Sequence, residues 1–186
     1  MQKSIFFNNK FAVCAAIIII VLSFFLGGAK SLNAIRGKAV NEFENGSGGQ
    51  SAEYYIESVA DIALGTFYSI AKNHVAASDG DLAGLSAAAN AVKKSKTVGE
   101  YYDRLLEINT YLNNLSLKID SKDMTDVEKN NWNNALSQCT TASNNLKHDD
   151  YNAMAQSYND KLSKVPANFI KITRLAKALP LFTNID

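Results

Sequence analysis

Thr97-Val-Gly-Glu-Tyr-Tyr-Asp-Arg-Leu-Leu-Glu-Ile-Asn-Thr-Tyr-Leu-Asn-Asn-Leu-Ser-Leu-Lys-Ile119 decides the fold class. Tyr101, Leu105, Ile108, Leu112, Leu115 and Ile119 recur at alternating steps of four and three, which puts all six on one side of a helix. Thr97 and Glu100 stand in the Thr-x-x-Glu order of a capping box, so the helix has a defined start. So long an apolar seam belongs to a rod packed along its length against other rods at shallow angles.

The same period continues on both sides. Downstream, Asp120 to Met124 is a polar turn, and Thr125-Asp-Val-Glu128 is a second capping box. It opens a helix with Trp132, Ala135, Cys139, Ala142 and Leu146 on one face. Tyr151, Met154, Tyr158, Leu162 and Val165 form a further apolar set that is out of phase by about one residue. Either the helix bends at His148-Asp149-Asp150 or Asp149 caps a new one. Val165-Pro166 stops that pattern, because the residue before a proline is pushed out of the helical region. Asn168 to Leu179 is expected to form a last short helix ending near Pro180.

Upstream, a short Ala-rich helix is expected from about Leu82 to Lys94, after the break Ser78-Asp-Gly-Asp81. Before that break, Ile56, Val59, Ala63, Phe67, Ile70 and His74 make another stripe, with Ser51 as candidate N-cap. Asn45-Gly-Ser-Gly-Gly49 separates it from a helix over Lys30 to Glu44, where Leu32, Ile35, Ala39 and Phe43 face one way. No segment sustains the alternation of a strand, and the expected class is all-α.

Phe11 to Ala29, FAVCAAIIIIVLSFFLGGA, is 19 residues without a charge. As a helix it spans about 28 Å, close to the hydrocarbon thickness of a bilayer. The expected organisation is a short tail over residues 1–10, a transmembrane signal-anchor over 11–29 and a helical domain over 30–186. Lys3 and Lys10 flank one side of the span and Lys30, Arg36 and Lys38 the other, a weak bias. The short N-terminus with its two lysines resembles a signal-anchor whose tail stays in the cytosol, which puts the domain outside the cell membrane. The other reading is a leader peptide removed after Ala29, since Gly27 and Ala29 are small residues at a permissible spacing.

The 186-residue chain carries 19 Lys and Arg against 18 Asp and Glu. With Lys3 and Lys10 left to the tail, residues 30–186 hold 17 basic and 18 acidic groups. So neutral a domain lacks the clustered positive charge that phosphate backbones require, so nucleic acid is not an expected partner. Cys14 lies in the apolar run and Cys139 in the domain, and no disulfide is expected between them. There is no Gly-rich phosphate loop, HExxH, CxxC or nucleophile elbow. His74 reads as a helix-end histidine and His148 as part of a surface turn. Asp120, Asp123, Asp126 and Glu128 lack EF-hand order and read as caps and solvated charge. Cys139 has no cationic neighbour in sequence to stabilise a thiolate and reads as a small core residue. No catalytic residue, metal or cofactor is assigned.

Two surfaces could contact something. Phe169, Ile172, Leu175 and Leu179 would share one side of the terminal helix, with Lys171, Arg174 and Lys177 on another stripe. Such a basic amphipathic helix either rests on anionic lipid near the anchor or serves as a lid over the open end of the bundle. From this segment Phe169, Lys171, Ile172, Arg174 and Lys177 are the candidate membrane or partner contacts. The second surface is Tyr54, Tyr55, Tyr101, Tyr102, Tyr151 and Tyr158: one tyrosine of each adjacent pair must face away from its helix's core side, where it suits a partner or simply the rim.

Tyr151-Asn152, Tyr158-Asn159-Asp160, Val165-Pro166-Ala167-Asn168-Phe169 and the closing Leu181-Phe182 resemble the C-terminal signature of bacterial LemA-family proteins. In that family a "YN" helix leads to a "P-x-N" turn and a short helix ending in an aromatic. The order of an apolar anchor, a helix like Ser31-Leu-Asn-Ala-Ile-Arg36 and three further helices agrees as well. Family members usually carry a long charged first helix with a tryptophan and an "IPNLV" lead-in to the second; here stand a Gly-rich break and Tyr54-Tyr55-Ile56. The chain is read as a divergent, LemA-like member. The resemblance implies an antiparallel four-helix bundle on a single membrane helix, with no enzymatic activity and no cofactor. The expected role is a non-enzymatic, membrane-tethered interaction or scaffold module of the bacterial envelope with an unknown protein partner. The alternative is a bundle that binds a lipid or small apolar molecule between helices, where Ala63, Ala135 and Ala142 would leave room.

Overall fold

The computed structural model describes residues 3–166, 169 and 177–184, with side chains from Ala16 onward. Among them there is no strand, and the chain is all-helical. Helix α1 (Lys3–Asn45) is followed by α2 (Ala52–Ile62), a π-helical turn (Ala63–Phe67) and α3 (Tyr68–His74). Then come α4 (Gly80–Val92), α5 (Val98–Lys118), α6 (Asp126–His148), α7 (Asp150–Ser163) and a 3-10 turn (Phe182–Asn184).

Helix α1 changes character along its length without a break. Ile17 to Leu22 and Phe24 to Leu26 are exposed, whereas Leu32, Ala39 and Phe43 are buried in the domain core. It stops where Gly46 takes φ +61°; a Cβ there would meet the backbone of Gly49, Gln50 and Ser51 at 3.2 Å. The buried Glu42 secures this end, Oε1 accepting the N–H of Ser47 at 2.7 Å and its hydroxyl at 2.9 Å.

Each later helix begins at a side-chain cap that its sequence supplies. Ser51 accepts the Tyr54 N–H, and Asp79 accepts from Asp81 and Leu82. Thr97 with Glu100 and Thr125 with Glu128 form the two capping boxes. Asp149 resolves the alternative left open by the phase shift: it ends α6 and caps α7, accepting the Tyr151 N–H at 2.8 Å. Burial pushes its carboxyl above the ordinary range against the pull of that N–H, and the nearby charges of Glu42 and Asp150 push the same way.

The seam of α5 is buried throughout, from Tyr101 to Ile119. Antiparallel pairs make the core. Phe67 meets Trp132 edge-on at 4.7 Å while Asn73 reaches Glu128, so α2–α3 and α6 run in opposite directions. Lys118 near the end of α5 bridges Asp79 and Asp81 at the start of α4, at 2.7 and 2.5 Å. Gly84 lets the Tyr111 ring lie directly on α4. Phe43 of α1 packs against Tyr151 at the start of α7.

The expected terminal helix differs from the structure at its end. Residues 177–180 are not helical, because Leu179 gives both its backbone N–H and its C=O to the side chain of Asn159 and leaves none for a helical ladder.

Candidate functional site

After Pro166 the chain turns back on α1. Phe169 is buried, and its ring stacks on Phe25 with centroids 5.1 Å apart. Its Cζ also lies 4.0 Å from where a Cβ on Gly28 would stand, an ordinary packing distance that puts the ring against this turn of α1. By Leu179 the chain is again beside Asn159 of α7. Phe169 thus lies at the level of Phe25 on α1, and Leu179 at the level of Asn159 on α7.

The returning strap is read by polar side chains of α7. Asn159 makes a two-point contact with Leu179, donating to its carbonyl and accepting its N–H, both at 2.8 Å. Tyr151 donates its hydroxyl to the Pro180 carbonyl at 2.8 Å. The buried Asn152 accepts the Phe182 N–H at 2.8 Å. It also donates to the last carbonyls of α6, Leu146 at 2.6 Å and Lys147 at 3.2 Å. Phe182 is thereby delivered into an aromatic cluster with Phe43, Tyr102 and Tyr151, at centroid distances of 6.0, 5.4 and 5.5 Å. Asn152 and Asn159 stand seven residues apart, two helical turns, and so face the same way. That spacing was present in the sequence as a repeated Tyr-Asn pair; its role as a backbone reader was not.

Of the five candidate contact residues, Phe169 is buried against the anchor helix and Lys177 is exposed beside the strap. Lys171, Ile172 and Arg174 lie outside the described residues. Phe25, which the sequence offered only as part of an apolar run, is the partner that gives Phe169 its position. The tyrosine surface is mostly interior. Tyr101, Tyr151 and Tyr158 are buried, Tyr55 and Tyr102 are half-buried and Tyr54 is exposed. Tyr101 donates to Glu53, and burial followed by that carboxylate raises its phenol well above the ordinary value.

The remaining polar features act as joints. Glu128 accepts the Thr125 N–H at 3.0 Å and the Asn73 amide at 3.2 Å, with His74 Nε2 at 3.3 Å but off the line of a hydrogen bond. His148 is exposed, its Nδ1 2.8 Å from the Asn144 carbonyl. Burial pushes the Cys139 thiol up to about 11, away from nucleophilic use at neutral pH. Among the described residues no group of three His, Cys, Asp or Glu could hold a metal. Ala63 and Ala142 are packed into the core. Ala135 edges a surface cleft of about 420 Å³ whose walls include Thr66, Ser69, Asn131, Asn134 and Gln138, a lining suited to water more than to an apolar ligand. A second cleft, of about 460 Å³, lies between the ends of α1 and α5, where Arg36, Glu44, Glu53 and Lys96 mix both charges.

No protein-family model, curated protein or solved structure matches the chain. Its α1 is the one helix among the described residues long and apolar enough to cross a membrane, a test that a signal sequence also passes.

Proposed function

We propose that the chain is a non-enzymatic, membrane-tethered helical module, a divergent LemA-like antiparallel four-helix bundle held at the cell membrane of a bacterium by residues 11–29. One observation carries the reading. Helix α1 is continuous from an exposed apolar half into a half that is domain core, so the bundle is mounted on its anchor with no linker between them. Removal of a leader after Ala29 would cut that helix and strip Phe25 and Gly28 from Phe169, which favours a retained anchor. The module's task on this reading is to present a surface to a protein partner outside the cytosol. Mass spectrometry of the mature N-terminus and alkaline extraction of membranes test the anchor; a soluble form beginning at Lys30 would end it. Labelling of a G48C variant by a membrane-impermeant maleimide in intact cells, with Cys14 and Cys139 replaced, tests the outward face. Crosslinking in membranes followed by pull-down tests the partner: recovery as an inert monomer would defeat the scaffold reading.

A further inference from the structure

Phe25 and Gly28, two places where Phe169 meets α1, both lie inside the charge-free run Phe11–Ala29. The run is about 28 Å long as a helix and the hydrocarbon core it must cross is about 30 Å, so the span has no slack. Phe25 stands four residues before the end of the run, about 6 Å below the edge of the apolar layer. A ring stacked on Phe25 stands at the same depth.

We propose that the chain beyond Pro166 sets Phe169 at acyl-chain depth beside α1, so that the domain is seated in the bilayer there as well as through its anchor. This rests on the retained anchor proposed above. Three observations point to lipid as the occupant of this surface. Phe24 and Leu26, which flank Phe25, are 79% and 70% exposed and offer only apolar carbon. The sequence from Ala167 to Leu179 carries three basic residues and no acid, a composition suited to an anionic headgroup layer. The contacts of Leu179, Pro180 and Phe182 with Asn159, Tyr151 and Asn152 fix the chain to α7 again after Phe169, so Phe169 is held between two points that belong to the fold.

Full-length protein reconstituted into phosphatidylcholine–phosphatidylglycerol vesicles tests this, with lipids brominated high or low on the acyl chains as quenchers. Trp132, the sole native indole, is first replaced (W132F). Three single reporters are then compared: I20W for the anchor, F24W for the depth of α1 beside Phe25, and F169W for the returning chain. The F169W and F24W indoles are expected to be quenched about twofold or more by the high-brominated lipid, as for a group about 5–10 Å into the boundary region, and I20W more by the low-brominated lipid. Quenching of the anchor reporters without quenching at position 169 overturns the seating of Phe169 and leaves the anchor standing. If F169W perturbs the fold, seen as lost helical circular dichroism, the near-isosteric fluorophore 4-cyanophenylalanine placed at position 169 decides the depth instead. Absence of quenching at all three positions overturns the anchor and this inference together.

Discussion

Asn152 joins three parts of the chain through one side chain: its oxygen accepts the N–H of Phe182 at 2.8 Å, and its amide nitrogen donates to the Leu146 carbonyl at 2.6 Å. Carbonyls at the end of α6 need donors and the strap N–H needs an acceptor, and a buried amide supplies both. Aspartate has the same shape but no donor. We predict that N152A costs about 1–3 kcal/mol in urea unfolding, the usual penalty for leaving buried polar groups unpaired. N152D should cost more at neutral pH, because its carboxylate would face two carbonyl oxygens. Such a carboxyl is raised above its unfolded value, so the variant is best tolerated below the unfolded value and loses stability as pH rises. An N152D protein as stable at pH 7 as at pH 4, relative to wild type, would refute this account of the clamp.

Glu128 titrates in the opposite sense. Donation from the Thr125 N–H, then from the Thr125 hydroxyl and Asn73, holds its carboxyl down at about 2 from an ordinary 4.5. A depressed folded value contributes stability that is present above pH 4.5 and is lost as pH falls towards 2. We predict that E128Q lowers the Tm at pH 7 and that the difference from wild type closes across this acid window. A constant difference down to pH 2 would show that the carboxylate's charge plays no part in joining α3 to α6.

The period of the apolar residues carried most of the architecture. The Tyr101–Ile119 seam, both capping boxes, the Ser51 cap and the Gly46 break were legible because each is a local rule of spacing or conformation. The choice at Asp149 was not, because a bent helix and a new helix bury the same residues and differ only in where the 149 carboxylate points. The π turn over Ala63–Phe67 was also hidden: its extra residue leaves Ala63, Phe67 and Ile70 all facing the core, as an ordinary helix would. The strap could not be read at all. Leu179, Pro180 and Phe182 are recognised through main-chain atoms that every residue possesses, by asparagines that look like ordinary surface polarity in a chain rich in them.

Gly84 is a third kind of hidden feature, a small residue in an Ala-rich helix whose purpose lies in another element. A Cβ there would come within 2.8 Å of Cε2 of Tyr111 and nearer still to Cε1 and Cζ. We predict that G84A destabilises the protein by about 1–3 kcal/mol, as overpacking does. In a Y111A background the same change should become stabilising by about 0.5–1 kcal/mol, since alanine is then favoured in a helix interior with nothing to strike. The double-mutant cycle in urea is decisive, and a G84A effect of the same sign and size in both backgrounds would rule out the ring contact as its cause.

Cys139 separates a packing role from a chemical one. It lies partly buried on α6, and desolvation alone moves its thiol from an ordinary 9.0 to about 11. At pH 8 the folded chain therefore holds about a hundredfold less thiolate at this position than the unfolded one. With Cys14 replaced by alanine, we predict that a charged aromatic disulfide reagent reacts about a hundredfold more slowly with native protein than with guanidine-unfolded protein at pH 8. The native rate should keep rising with pH beyond 9, where the unfolded rate levels off, because the two thiols ionise at different values. A native rate that saturates near pH 7 would mean that a cation stabilises this thiolate, and the assignment of Cys139 to packing would fall.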